Sequence, residues 1–301
     1  MIAIEAEGLK KRFGNVEALK GVSFKVKRGE TFGFLGPNGA GKTTTVRILT
    51  GILKPDSGKA RINGYDVVEE TLKAKQSIGV LPEVSNAYPD LTAWQNLMLV
   101  ASLYGMRKNE AEKRTVKLLK EFGIYERKDS KVKGFSKGMK QRLMFCMALI
   151  SDPEVVFLDE PTSGLDVLSA RMIREKVLEL ASDGKTVFLT SHNMEEINML
   201  CDRIALIDRG KIVTIDTPER IKAKVGGNVA VEVSFDKPVR LPRRLNAKKL
   251  GDKYIIYTTA VHETICEIVD YAKKNNVKIV SIDTRTPTLE DAFISLLEGT
   301  K

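Results

Sequence analysis

The sequence predicts an α/β fold: a larger domain with a parallel core sheet, an antiparallel β subdomain and a helical insert, then a small C-terminal α+β domain. Three observations support this prediction. Short apolar runs at residues 31–35, 155–158 and 186–190 are bounded by turn or helix signals, as buried parallel strands are. Residues 1–30 alternate polar and apolar side chains, and residues 92–150 repeat apolar side chains at helical spacing.

The first of these segments predicts antiparallel strands, with turns at Gly8, Gly14, Gly21 and Gly29. The strand at residues 31–35 then leads into a glycine-rich turn and a helix over residues 42–50. The helical insert spans about residues 84–150 within a first domain of residues 1–222. After the insert we expect a helix over residues 167–182 and a hairpin of two short strands at residues 204–207 and 212–215.

A second domain is predicted after a linker at residues 223–228, where two glycines mark the boundary. Residues 229–301 then contain three strand-like segments and two amphipathic helices, near residues 260–274 and at the C-terminal end. Thr288 and Asp291 have the spacing of a capping box for the last helix. These elements predict a small α+β accessory domain.

Composition restricts the class of protein. Apolar runs stay well below the ~18 residues that a membrane-spanning helix needs, and residues 1–7 lack signal-peptide features, so we expect a cytoplasmic protein. Three cysteines without paired spacing, at residues 146, 201 and 266, predict buried reduced thiols rather than disulfides or a zinc site. The net charge of +10 is densest at residues 237–253, which fits a solvated surface or contact with anionic lipid or a partner chain.

Residues 36–44 have the chemistry of a phosphate-binding loop. Glycine, four residues, glycine, lysine and threonine follow an apolar strand and open a helix. The glycines let backbone amides curl around phosphates, the lysine neutralises the β and γ phosphates, and the threonine after it can ligate Mg²⁺. The predicted nucleoside-triphosphate site in this loop consists of Gly36, Pro37, Asn38, Gly39, Ala40, Gly41, Lys42, Thr43 and Thr44.

A second chemical signal is the apolar run at residues 155–158 that ends in Asp159 and Glu160. Because neighbouring strand residues point in opposite directions, Asp159 is expected to face Mg²⁺ while Glu160 points at an attacking water. Glu160 would then act as general base or orient the nucleophile. Alone, such a run also fits a strand that ends in solvent, but beside a phosphate loop it indicates a hydrolytic site.

Three further segments occur in the order found in the ATP-binding subunits of ABC transporters, and the chain resembles those subunits over residues 1 to about 220. Residues 135–139 are similar to the family's signature segment, residues 163–166 to its D-loop, and residues 190–192 to its switch-histidine segment. The resemblance implies a P-loop NTPase fold of the ABC type. It also implies site residues outside the phosphate loop: Phe13 on adenine, Ser136, Gly138 and Asp166 at the nucleotide, and His192 at the γ-phosphate.

The sequence departs from the family pattern in two places. The signature-like segment has Lys137 and Met139 where glycine and glutamine are usual, and Glu83 stands where a magnesium-sensing glutamine is usual. Glutamate still offers an oxygen ligand and adds a negative charge. Both departures, together with the C-terminal extension, resemble the drug- and antibiotic-export branch of daunorubicin-resistance type.

The resemblance implies ATP and Mg²⁺ as ligands, with Lys42, Glu160 and His192 as catalytic residues and Thr43, Asp159 and Glu83 at the metal. It implies a homodimer or heterodimer of ATPase subunits paired head to tail, with ATP sandwiched between them. It also implies separate transmembrane permease subunits, gripped by the helical insert, and a peripheral location on the inner face of the cell membrane. The predicted reaction is ATP hydrolysis coupled to export.

Two alternatives stay open from the sequence. The basic charge also fits an ABC-type ATPase that acts on nucleic acid or ribosomes, although such relatives usually have tandem cassettes or long coiled coils, and neither is seen. We therefore expect no nucleic-acid partner. A small-molecule kinase would share the phosphate loop but would leave the signature-like segment and His192 unexplained.

Overall fold

The computed structural model describes residues 1–224, 229–285 and 288–298, and it divides into two compact units, Met1–Asp216 and Thr217–Lys301. This division comes earlier than the predicted domain end at residue 222. The reason is that helix α8 (Pro218–Ala223) packs against α10 (Leu289–Glu298) of the second unit. Of the predicted linker, residues 225–228 lie outside the described residues.

The core of the first unit is a mostly parallel sheet of order β10-β9-β3-β8-β7-β6, in which the hairpin strand β10 is antiparallel to β9. The three apolar runs that predicted buried strands form β3, β7 and β8, and every residue in them is buried. The predicted hairpin is also confirmed. The strands are β3 (Thr31–Leu35), β6 (Ile78–Leu81), β7 (Val155–Asp159), β8 (Thr186–Ser191), β9 (Arg203–Asp208) and β10 (Lys211–Asp216).

Aromatic packing fixes the centre of this sheet. The ring of Phe188 on β8 lies 5.4 to 6.0 Å, centroid to centroid, from four other phenylalanine rings, in stacked and tilted geometries. Such offset contacts add to the free energy gained by removing apolar surface from water. The partner rings belong to Phe24, Phe32, Phe34 and Phe157.

The predicted antiparallel subdomain is a second sheet of order β2-β1-β4-β5. Gly14 and Gly29 lie in turns as predicted, but Gly8 and Gly21 do not. Both fall inside long strands, and their positive φ angles accompany shifts in the pairing register rather than reversals of the chain. The strands are β1 (Ile2–Phe13), β2 (Val16–Lys27), β4 (Ser57–Ile62) and β5 (Tyr65–Asp66).

Helices surround the core sheet, and those at residues 93–149 form the predicted helical insert, with its breaks near Gly105, Gly123 and Gly134. The first insert helix begins with a capping box between Thr92 and Gln95. Across the described ranges, none of the helices is long and apolar enough to cross a membrane. The helices are α1 (Lys42–Leu49), α2 (Thr71–Gln76), α3 (Ala93–Leu103), α4 (Lys108–Glu121), α5 (Lys137–Leu149), α6 (Val167–Ser182) and α7 (Met194–Leu200).

The second unit is built on an antiparallel sheet of order β12-β13-β11-β14, and the predicted α+β composition is confirmed. Its apolar cluster joins the sheet to α9 through Val231, Ile256 and Ile268. The capping box of Thr288 and Asp291 is present, with each side chain accepting a hydrogen bond from the other residue's backbone N–H. The remaining elements are β11 (Val229–Phe235), β12 (Lys248–Leu250), β13 (Lys253–Thr258), α9 (Val261–Lys274) and β14 (Ile279–Arg285).

The cysteine prediction is right for two of the three thiols. Cys146 and Cys201 are buried, and burial raises the pKa of both thiols well above the ordinary value. Cys266 is exposed, so the prediction of a buried thiol is wrong there. The reason is its position on the solvent side of α9, one turn after the exposed His262.

Candidate active site

The phosphate-binding loop connects β3 to α1, and its glycines are required by geometry. Gly39 and Gly41 have φ angles of 79° and 112°, a region that favours glycine. At Gly36, a Cβ atom would lie 2.2 Å from the backbone oxygen of Ile207, so any residue with a side chain would clash there. The loop is therefore held tightly against β9, and Gly210 N–H donates a hydrogen bond to the oxygen of Ala40 at 3.0 Å.

Lys42 is buried at the start of α1, and its ammonium contacts both the phosphate-binding loop and Glu160. Its Nζ donates to the backbone oxygen of Gly36 at 2.8 Å and lies 3.3 Å from Oε1 of Glu160. The other carboxylate oxygen of Glu160, Oε2, is 2.8 Å from Nδ1 of His192. The structure thus brings together three residues that are far apart in the chain and were predicted to be catalytic.

The direction of Glu160 has a different cause from the one predicted. β7 ends at Asp159, and Glu160 has a φ angle of 51°, in the left-handed region. Its backbone N–H donates to both the oxygen and the side-chain Oγ1 of Thr190 at 3.1 Å. These two bonds to β8, rather than strand alternation, turn the Glu160 side chain toward Lys42.

The residues predicted to hold Mg²⁺ form a set of oxygen donors with excess negative charge. Asp159 is buried and accepts a 2.5 Å hydrogen bond from Thr190 Oγ1. The pKa of Asp159 is raised by burial and by the charges of Glu83 and Glu160, whereas hydrogen bonds from Thr190 and Thr43 act in the opposite direction. Carboxylate and hydroxyl oxygens are hard ligands, so the donor set and its charge fit a magnesium ion.

A cleft of about 420 Å³ opens above the loop and includes most of the predicted nucleotide-binding residues. The ring of Phe13, at the end of β1, forms one wall and is 49% exposed. A planar exposed ring beside a phosphate loop is suited to stacking on a nucleobase. The cleft is lined by Phe13, Ala18, Asn38, Gly39, Gly41, Lys42, Thr43, Thr44, Glu83 and Glu160.

The three predicted nucleotide-binding residues outside the phosphate-binding loop and Phe13 do not line this cleft, and they lie at the starts of α5 and α6. Ser136 caps α5 by accepting from Met139 N–H, and Asp166 caps α6 by accepting from the N–H and hydroxyl of Ser169. A Cβ at Gly138 would lie 2.7 Å from Ser169 Oγ, so the signature-like segment and the D-loop-like segment meet closely. Within one chain the site is therefore in two separate parts.

Two polar residues of the site were missed by sequence reasoning. The Thr190 hydroxyl connects Asp159 to the Glu160 backbone, as described above. Glu196, in α7, is 1% exposed and accepts hydrogen bonds from Thr162 and Ser191. The only sequence signal for Glu196 is its position three residues after Asn193, which indicates a capping box rather than a role at the site.

Comparison with known proteins identifies close relatives. The family model described as "ABC transporter" matches residues 19–163. The linearmycin resistance ATP-binding protein LnrL of Bacillus subtilis is 37% identical, and the alignment covers 97% of each chain. The daunorubicin resistance ATP-binding protein DrrA3 of Streptomyces coeruleorubidus is 34% identical over 98% of this chain and 95% of its own.

Solved structures agree with these relatives. A dimeric ATP-binding cassette, MJ0796, in a post-hydrolysis state bound to ADP and Pi has a TM-score of 0.66 and 27% sequence identity. The match covers 71% of this chain and 98% of the cassette.

Proposed function

The chain belongs to the ATP-binding subunits of ABC transporters, which hydrolyse ATP, and we propose that its hydrolytic site is the cleft lined by Lys42 and Glu160, together with His192, which contacts Glu160. The observation that carries this proposal is the Glu160 carboxylate, whose two oxygens lie 3.3 Å from Lys42 Nζ and 2.8 Å from His192 Nδ1. A phosphoryl-transfer site needs positive charge on the phosphoryl group and a group that orients the attacking water.

Lys42 and the loop amides supply the positive charge. The Lys42 ammonium is buried, so its attraction for phosphate oxygens is screened less than at the surface. Backbone N–H groups at the start of a helix bind phosphate, and the helix dipole favours negative charge there, so the start of α1 adds to the charge of Lys42. Together they stabilise the charge that develops in the transition state.

Glu160 accepts a proton from the attacking water or orients it, and His192 keeps the carboxylate in place. The hydrogen bond between His192 and Glu160 fixes one carboxylate oxygen and leaves the other directed at Lys42. Thr43, Asp159 and Glu83 would hold the Mg²⁺, which supplies further charge neutralisation to the phosphates. Phe13 would stack on the adenine.

We also propose that two ATPase subunits complete each site, as a homodimer or heterodimer. Ser136, Gly138 and Asp166 do not line the cleft of their own chain, and the exposed side chains of Ser136 and Asp166 are available to a second copy. Head-to-tail pairing would place these residues over the nucleotide in the partner's cleft. The dimeric state of the structural relative supports this arrangement.

The test is the replacement Glu160→Gln, which keeps the shape of the side chain and removes its charge. We expect nucleotide binding to be retained and ATP turnover to fall by about 100-fold or more, the size of a general-base effect. An ATP-dependent dimer should accumulate on gel filtration. Glu154→Gln, an exposed glutamate just before β7, is the matched control and should hydrolyse ATP normally. Unchanged turnover in Glu160→Gln would refute the role of Glu160.

A surface for a permease subunit lies between α3 of the insert and β6, the edge strand of the core sheet. A groove of about 330 Å³ there is lined mainly by apolar side chains, including Ile52, Leu72 and Leu103. These three are 67% to 78% exposed, which is unusual for large aliphatic residues. We assign the groove to an apolar segment of the membrane subunit, because β6 leads directly to Glu83 in the cleft.

Export is the direction that the relatives favour. The names of LnrL and DrrA3 refer to resistance against antibiotics, which is consistent with removal of a compound from the cell. The subunit would then act on the inner face of the cell membrane, bound to its permease. The alternative of an ATPase acting on nucleic acid or ribosomes is not favoured by these relatives.

A further inference from the structure

We propose that Glu196 is a positioning residue, which holds the segments carrying Glu160 and His192 in register. This proposal rests on the proposed function, in which Glu160 and His192 act in ATP hydrolysis. Glu196 is buried in α7, and its Oε2 atom accepts two hydrogen bonds, from Thr162 Oγ1 at 3.0 Å and from Ser191 Oγ at 2.9 Å. Thr162 comes two residues after Glu160, and Ser191 immediately precedes His192.

One carboxylate oxygen therefore joins the two chain segments that leave β7 and β8. Hydroxyl groups that donate to a carboxylate form charge-assisted hydrogen bonds, which are stronger than neutral ones. Burial raises the pKa of Glu196 above its ordinary value, and the bonds from Thr162 and Ser191 oppose that rise because they favour the charged form. The two bonds fix the position of Thr162 relative to Ser191.

A capping box is the plainer explanation for a glutamate at this position, and the hydrogen bonds exclude it. In a capping box, the carboxylate of Glu196 would accept from the backbone N–H of Asn193. That N–H instead donates to Ser191 Oγ at 3.0 Å, while Asn193 Oδ1 caps Glu196 N–H at 3.1 Å. Only half of the box is present, and the Glu196 carboxylate is directed at Thr162 and Ser191.

Burial of this carboxylate is costly, since its Oε1 atom lacks a hydrogen-bond partner among the residues that the structure describes. A buried polar atom without a partner is destabilising, because it loses its hydrogen bonds to water and gains none in the protein. An apolar side chain of similar volume would avoid that cost. The arrangement is explained if the two bonds at Oε2 are needed to keep Glu160 and His192 at 2.8 Å.

The consequence is a selective effect on turnover. Without Glu196, no carboxylate joins the segment after Glu160 to the segment before His192. The side chains of Glu160 and His192 then lose their alignment at the γ-phosphate. Glu196 is not among the residues that line the nucleotide cleft, so we expect nucleotide binding to be retained. Misplacement of reacting groups by about 1 Å can cost 100-fold in rate.

The experiment measures kcat and KM for ATP in Glu196→Ala, Glu196→Gln and the double variant Glu196→Ala/His192→Ala. We expect Glu196→Ala to lower kcat by about tenfold or more with KM changed by less than about threefold. Glu196→Gln keeps an acceptor oxygen and should restore much of the rate. In the His192→Ala background, the loss caused by Glu196→Ala should largely disappear, since a residue that acts through His192 has no further effect.

Glu30 provides the matched control, because it is a buried carboxylate at the opposite end of β3, paired with Arg203 at 3.0 Å. Glu30→Ala should lower stability but leave kcat unchanged. If Glu196→Ala does not fold, Thr162→Val and Ser191→Ala each remove one donor and should lower kcat. Normal kcat in the Glu196 or donor variants, with Glu160→Gln inactive, would overturn this inference alone. Normal turnover in Glu160→Gln would instead refute the proposed function.

Discussion

Replacement of Gly36 by alanine tests how tightly the phosphate-binding loop is held. The added Cβ would meet the Ile207 oxygen at 2.2 Å, whereas ordinary contact begins at 3.4 Å. Ile207 is a fully buried residue of β9, and the atom that would clash is its backbone oxygen, so no side-chain rotation relieves the clash. The phosphate-binding loop or β9 would have to move until the 2.2 Å separation approaches the 3.4 Å of ordinary contact.

The magnitude follows from the kind of contact. Overpacking a buried site costs about 1–3 kcal/mol of stability. Displacement of Gly36 also breaks the 2.8 Å bond from Lys42 Nζ to its oxygen, so nucleotide affinity falls with stability. The assay is urea unfolding together with titration of a nucleotide.

Gly39→Ala is the control in the same loop. A Cβ there has open space but a φ of +79°, so only backbone strain of about 1–2 kcal/mol applies. We expect Gly36→Ala to lose nucleotide binding more than Gly39→Ala does. Equal stability and equal affinity in Gly36→Ala and the wild-type protein would refute the reasoning.

Two further predictions concern the second unit and the permease groove. Burial alone would raise the pKa of Asp291, but bonds from Arg285, Tyr257 and Thr288 lower it to about 2, so its contribution to stability is present above pH ~4 and lost as the pH falls toward 2. Hydrogen exchange in α10 should therefore increase over that range in the wild-type protein and much less in Asp291→Asn. Leu103→Glu in the permease groove should abolish copurification of a multispanning membrane protein while ATP binding stays normal. The control Leu178→Glu changes an exposed leucine of α6 and should leave copurification intact. Copurification retained in Leu103→Glu would exclude the groove as the permease surface.

The elements that the sequence predicted best are those whose signal is contiguous. β3, β7 and β8 are short apolar runs, and the phosphate loop is a spacing of residues within nine positions, so each needs only local information. The strand at residues 78–81 was not assigned, because four residues beside a short helix give little periodicity. The predicted domain end at residue 222 differs from the division after Asp216, because only the packing of α8 on α10 shows that α8 belongs to the second unit.

The site was predicted as a set of residues but not as an arrangement. Lys42, Glu160 and His192, which the sequence predicted to be catalytic, lie together in the structure. The direction of the Glu160 side chain depends on two hydrogen bonds to Thr190 that no sequence spacing indicates. The roles of Thr190 and Glu196 depend on contacts between β7, β8 and α7. Contacts between segments that are distant in the chain leave no local pattern, so a single sequence does not predict them.

The Lys42 ammonium, which contacts both the phosphate-binding loop and Glu160, also links nucleotide binding to the arrangement of the hydrolytic site. Glu160 and the phosphate oxygens of a nucleotide compete for the same positive charge, since the Lys42 Nζ lies 3.3 Å from the carboxylate. A triphosphate that engages Lys42 would weaken this contact and leave the Glu160 carboxylate oriented by His192, whose Nδ1 lies 2.8 Å from its Oε2. Binding of the nucleotide and placement of the Glu160 side chain would thereby be coupled through one ammonium group.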